Sequence, residues 1–164
     1  MPSNITINIE CPTYLISFFE SLYGKQPIAL PKKENWSAFL RVNLHRVPDD
    51  FKLEYYGENN LAILLPYFED FNVNHKFCLS KLKQGVFADT LEASFLITFR
   101  RQIDKTLKLN LDITKKDCIY MFIEDYNLSE NCYDMLIRNY SRYRKTQRMH
   151  YYRNPENMDL ISSV

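Results

Sequence analysis

The sequence predicts an α+β fold, namely a mainly helical single domain with a small antiparallel β-hairpin and a C-terminal helical pair. At 164 residues the chain has the length of about one ordinary domain. Apolar residues recur at three- and four-residue spacing over most of it and alternate with polar residues in short stretches. Aromatic residues make up 15% of the chain, with 12 Tyr and 11 Phe. We therefore expect an aromatic core.

The N-terminal stretch predicts a strand followed by a helix. In "NITINIE", residues 4–10, isoleucine alternates with polar residues, which is the period of a half-buried strand. Pro12 suits the first turn of a helix, and the apolar stripe that begins at Leu15 continues until Gly24, which is expected to end the helix.

The middle of the chain predicts a helix, a hairpin and then a long helix. Apolar residues at helical spacing predict a helix over about residues 33–46. "FKLEYYGENNLAILLPYF" contains two extended runs around a turn at 57–60, and the first strand could extend this hairpin. Farther on, an apolar residue at every fourth position from Phe87 to Leu107 predicts a central helix, with Gly85 separating it from an earlier turn.

Two short helices are predicted at the C-terminal end. Thr114 and Asp117 have the spacing of a capping box, which fixes a helix start. Asn127 tolerates the left-handed conformation of a tight turn, and Ser129 is a good N-cap for the last helix. This layout is typical of a helix-turn-helix, although a plain packed helical pair gives the same pattern.

The charges are strongly segregated along the chain. Six of the 21 Lys and Arg lie between Arg138 and Arg153, a stretch without Asp or Glu, so the rest of the chain has 15 bases against 20 acids. At about 100° per residue, four of the six fall within an arc of about 120° on the last helix. The candidate phosphate-binding residues are Arg138, Arg142, Arg144, Lys145 and Arg148, with Arg153 in the same set and Tyr143, Tyr151 and Tyr152 available to stack on bases.

Several interpretations of this basic stretch stay open. The leading hypothesis is a non-enzymatic accessory or regulatory protein that holds DNA backbone phosphates. The alternative is a protein-interaction module, a phage structural component or an inhibitor of a host enzyme, because Tyr and Arg are favoured interface anchors. A third hypothesis is single-strand binding by tyrosine stacking. The acidic start of the last helix, Glu130 and Asp134, argues against direct base readout.

Other functional classes find little support in the sequence. The three histidines and four cysteines form no metal-binding motif, the three glycines form no phosphate loop, and no catalytic motif is present, so we expect no enzyme and no cofactor. The cysteines are expected to be free thiols, mostly buried. No apolar run approaches the ~20 residues that cross a bilayer, and the start lacks signal-peptide features, so we expect a cytoplasmic protein of a bacterial or phage-infected cell.

Three segments, "QPIALPKKENWSAFL", "LAILLPYF" and "IYMFIEDYNLSENCYDMLIRNYSRYR", resemble small uncharacterised proteins encoded on phages and conjugative elements of gut anaerobes. The resemblance implies a mobile-element context and says nothing about catalytic residues. The C-terminal part is also similar to small phage regulators that end in a helix-turn-helix. Within one domain, the predicted organisation is a mixed body over 1–112, the helical pair over 113–149 and a terminal extension over 150–164.

Overall fold

A computed structural model describes residues 6–29, 35–48, 50, 59–64, 75–110 and 112–153, with the backbone alone for Asn35 and 150–153. The predicted fold class, mainly helical α+β with a C-terminal helical pair, is confirmed. The elements are β1 (Thr6–Glu10), α1 (Thr13–Tyr23), β2 (Ile28–Ala29), α2 (Asn35–Asn43), β3 (His45–Val47), β4 (Asn60–Leu64), β5 (Lys76–Cys78), α3 (Lys81–Leu109), α4 (Lys115–Asp125) and α5 (Tyr133–Arg153).

The contacts within the chain divide it into two compact units. The first unit contains residues 1–99 and 125–128, and the second contains 100–124 and 129–164. Helix α3 contributes its first two thirds to the first unit and its C-terminal third to the second. Among the described residues, no helix is both long enough and apolar enough to cross a membrane.

A three-stranded sheet in the first unit confirms the predicted N-terminal strand. Its order is β1-β4-β2, with β1 antiparallel to β4 and β2 parallel to it. Ile7 lies opposite Ile63 and Ile9 opposite Leu61, and all four side chains are buried, as the alternating pattern requires. Strand β4 is the second arm of the predicted hairpin, whereas the first arm lies outside the described residues.

The second predicted helix is shorter than expected. Helix α2 ends at Asn43, whose side-chain amide donates a 2.8 Å hydrogen bond to the carbonyl of Phe39. His45–Val47 instead form β3, which pairs antiparallel with β5 and places His45 opposite Cys78. Leu44, which lies between α2 and β3, and Val47, which ends β3, are both buried in the structure without belonging to a helix. Pairing with a segment distant in sequence therefore overrides the local pattern.

The expected aromatic core is present in the first unit. Phe18 of α1 packs edge-on against Phe95 of α3, with ring centroids 5.0 Å apart. Phe19 meets Trp36 of α2 edge-on at 5.2 Å, and Phe39 of α2 stacks on a phenylalanine of α3 at 5.5 Å. Edge-to-face and stacked arrangements are those that the quadrupoles of the rings favour, and these contacts hold three helices against each other.

Helix α3 contains the predicted stripe from Phe87 to Leu107, but it begins at Lys81 and continues through Gly85, so the predicted break there is wrong. The helix begins after Ser80, whose hydroxyl accepts a 3.4 Å hydrogen bond from the amide of Lys83. A glycine inside a helix costs about 1 kcal/mol relative to alanine. Here the buried stripe that starts at Phe87, two residues later, offsets that cost.

The local signals of the C-terminal pair are confirmed. The amide of Thr114 donates to Asp117 Oδ2 and the amide of Asp117 donates to Thr114 Oγ1, each at 3.2 Å, which is a reciprocal capping box. Asn127 has φ of 48°, in the left-handed region. Ser129 Oγ accepts a 3.4 Å hydrogen bond from the amide of Asn131 and caps the 3-10 turn that leads into α5.

Candidate nucleic-acid interface

Helix α5 is anchored by its first half and is exposed over residues 144–149. Leu136 and Tyr140, four residues apart, are buried, and they continue the apolar stripe that begins at Cys132. The ring of Tyr133 stacks on Tyr120 of α4, with centroids 4.8 Å apart and planes within 14°. From Arg144 to Met149 every side chain is exposed. The first half of α5 therefore holds the helix and leaves residues 144–149 open to a partner.

Four cations form one exposed face of α5, which we call the basic ridge. Its members are Arg138, Arg142, Lys145 and Arg148, and all are exposed. None of the four forms a salt bridge with another residue in the described part of the chain. A merely solvated helix face is expected to pair its arginines with nearby acids, whereas no acid that the structure describes pairs with the ridge.

The remaining described arginine in this stretch has a different environment. Arg144 Nη1 lies 3.7 Å from Asp104 Oδ1, and the Asp104 side chain is 21% exposed. The same carboxylate accepts a 2.6 Å hydrogen bond from the hydroxyl of Tyr140 and a 3.1 Å bond from that of Tyr143. Three side chains of α5 thus converge on one acid of α3.

A second contact supports this junction. The guanidinium of Arg100 donates twice to Asn139 Oδ1, at 3.1 Å from Nε and 3.0 Å from Nη2. The central carbon of this guanidinium, Cζ, also lies 5.1 Å from the ring centroid of Tyr143, within the range of a cation–π interaction. We call Arg100, Asp104, Asn139, Tyr140, Tyr143 and Arg144 the anchoring network.

Both tyrosines of the anchoring network are strongly held in the protonated form. Burial raises the pKa of Tyr140 far above its usual value, and the hydrogen bond to the Asp104 carboxylate raises it further. The pKa of Tyr143 is also raised, first by burial and then by its hydrogen bond to Asp104. Each phenol therefore stays protonated and donates a hydrogen bond to Asp104 throughout the physiological pH range.

The C-terminal third of α3 carries cations that the sequence analysis missed. Arg101, Lys105 and Lys108 line an open groove of about 450 Å³, together with Asp104 and Leu109. All three cations are exposed. Their spacing of four and three residues, which places them on one helix face, could have been recognised in the sequence. Acids and apolar residues lie between them, so the segment does not stand out as a run of basic residues.

The structure separates the predicted site residues into three groups. The ridge cations stand together on one exposed face. Tyr143 and Arg144 belong to the anchoring network. Tyr151, Tyr152 and Arg153 continue α5, and their side chains lie outside the described atoms. The acids Glu130 and Asp134 are exposed near the start of the helix.

A thiol–imidazole pair was also missed by the sequence analysis. Cys78 Sγ lies 3.2 Å from His45 Nε2, across the β3–β5 ladder. Burial raises the pKa of the Cys78 thiol. The other three cysteines are free and buried, as expected. Within the described ranges, no group of three or more His, Cys, Asp and Glu side chains is placed to hold a metal ion.

Comparison with known proteins finds no matching family model, no similar curated protein and no similar solved structure. The function must therefore be inferred from the residues of the site.

Proposed function

We propose that this chain is a non-enzymatic DNA-binding accessory or regulatory protein of a phage or mobile element, and that the basic ridge contacts the backbone phosphates of duplex DNA. The observation that carries the proposal is the exposed face of Arg138, Arg142, Lys145 and Arg148, without a salt bridge to any described acid. Unpaired guanidinium and ammonium groups in a row are the groups that neutralise phosphates.

The charge around the ridge supports the same partner. Residues 100–124 and 129–153, which make up the described part of the second unit, contain 12 Lys and Arg against six Asp and Glu. A polyanion approaching this unit is attracted before any specific contact forms. The attraction falls with ionic strength, because bound counterions are released from DNA when phosphates are neutralised.

The anchoring network gives the ridge a fixed base. Asp104 accepts hydrogen bonds from two tyrosine hydroxyls and pairs with Arg144, while Arg100 donates to Asn139, so polar contacts hold α5 on α3. In this proposal Tyr143 and Arg144 position the helix, and phosphate binding falls to the four ridge cations.

The proposed contacts are to the DNA backbone, without direct base readout. Glu130, in the 3-10 turn before α5, and Asp134, in the first turn of α5, are exposed at the end of the helix at which a recognition helix meets base edges. Their negative charges repel phosphates there. We expect affinity to depend weakly on DNA sequence, as it does for proteins that contact the backbone alone.

The test is fluorescence anisotropy with a labelled random duplex at low salt. Changing the four ridge cations to alanine is expected to weaken binding at least about tenfold, because each removed phosphate contact weakens binding to all sequences alike. Arg138→Lys with Arg142→Lys and Arg148→Lys keeps the charge and serves as the matched control, which should retain most of the affinity. Failure of the wild-type chain to bind at low salt would overturn the proposal and favour a protein partner.

A further inference from the structure

The cations of the α3 groove form a second row beside the ridge helix. Arg101, Lys105 and Lys108 fall within about 60° of each other around α3 and span about 10.5 Å along its axis. The groove that they line has a volume of about 450 Å³ and is open to solvent. A row of this kind can meet several negative charges of one extended partner.

The carboxylate in the groove does not neutralise this row. Asp104 already accepts hydrogen bonds from Tyr140 and Tyr143 and pairs with Arg144, so its charge is balanced from the side of α5. No other acid lines the groove in the described part of the chain. The row of three cations therefore presents a positive potential to the partner.

We propose that this groove is a second phosphate-binding surface for duplex DNA, in addition to the basic ridge, an inference that rests on the proposed function. One strand of B-DNA carries a phosphate every 3.4 Å of helix axis, so the length of the row matches about three phosphates. Contacts from lysine and arginine side chains to phosphates position a protein on DNA and carry no sequence information.

The experiment compares the salt dependence of duplex binding for three forms of the full chain. The groove variant is Arg101→Gln with Lys105→Gln and Lys108→Gln. The control variant is Lys25→Gln with Arg46→Gln and Lys83→Gln, which removes the same charge from exposed positions of the first unit. The groove variant is expected to lower the magnitude of the log–log salt slope by about 2.7, at about 0.9 per lost contact. The control should keep the wild-type slope.

The outcomes distinguish this inference from the proposed function. If the groove variant keeps the wild-type slope while the ridge variant loses binding, the inference about the groove is wrong and the proposal for the ridge stands. A control variant that loses as much slope as the groove variant also overturns the groove. A wild-type chain that binds no duplex overturns both. Lys105→Arg with Lys108→Arg retains the charge. If this variant keeps the wild-type slope while the glutamine variant loses slope, the loss is due to the missing charge and not to misfolding.

Discussion

The hydroxyl of Tyr140, on α5, donates a 2.6 Å hydrogen bond to Oδ1 of Asp104, on α3. Charge-assisted hydrogen bonds of this kind are shorter and stronger than neutral ones. Because Tyr143 and Arg144 contact the same carboxylate, one acid holds three side chains of α5. The orientation of the basic ridge therefore depends on a residue that carries the opposite charge.

Replacement of Asp104 by asparagine is expected to loosen α5. The amide keeps the shape of the side chain but removes the charged acceptor, so the two hydroxyls compete for one neutral oxygen. We expect the free energy of unfolding to fall by about 1 to 3 kcal/mol, as measured by urea unfolding. Asp89→Asn, an exposed position on the same helix, is the matched control and should stay within about 0.5 kcal/mol of wild type. Equal effects of the two substitutions would contradict the anchoring role.

The capping box predicts a stability loss at the start of α4. Thr114→Ala removes the oxygen that accepts from the Asp117 amide and should cost about 1 kcal/mol in urea unfolding. Thr114→Ser keeps this oxygen and is the control. If Thr114→Ala leaves the urea midpoint of unfolding unchanged, the capping box does not contribute to stability.

The same box predicts a dependence of stability on acid pH. The hydroxyl and then the backbone amide of Thr114 hold the pKa of Asp117 below its usual value. A lowered pKa contributes stability that is complete above the unfolded pKa, about 3.9, and is lost as the pH falls through the folded value. Urea unfolding between pH 5 and 2 should show a smaller acid loss for Asp117→Asn than for wild type.

Alkaline pH is expected to destabilise the fold through a buried thiol. Burial raises the pKa of Cys11 to about 11. A raised pKa contributes stability that is complete below the unfolded value, about 8.5, and is lost as the pH rises toward 11. Unfolding followed by circular dichroism between pH 8 and 11 should therefore show a steeper loss for wild type than for Cys11→Ala, by at most about 1.4 kcal/mol per pH unit. Parallel curves for the two proteins would contradict the burial of the thiol.

Thiol labelling should single out Cys78. Its side chain is half-buried beside His45, whereas the other three cysteines are buried. A maleimide reagent should modify Cys78 first, and faster as the pH rises, because the thiolate is the reactive form and burial raises the pKa of this thiol. Peptide mass spectrometry after brief labelling checks the site, with Cys78→Ser as the control. Equal labelling of all four cysteines in the native protein would contradict the structure.

Most of the fold was predictable where the signal is local. Gly24 at φ of 92° ends α1 and the Thr114–Asp117 box begins α4, because caps act within a single turn. Strands β2, β3 and β5 contain two or three residues each, too few to show a period. They form because partners far along the chain, such as His45 and Cys78, supply their hydrogen bonds.

The ridge was predictable and its anchor was not. The spacing of Arg138, Arg142, Lys145 and Arg148 is a property of one helix and can be read from the sequence. Asp104 lies 36 to 40 residues before the side chains that it holds, so no local pattern connects them. The predicted roles of Tyr151, Tyr152 and Arg153 stay predictions.

The central claim is that the ridge binds DNA phosphates, and the slope of log affinity against log salt for a random duplex tests it most directly. Wild type should lose affinity steeply with salt, and the four-alanine ridge variant should show a slope smaller in magnitude by about 3.6, at about 0.9 per contact. Binding that is independent of salt, or an equal slope in the ridge variant, would contradict the claim.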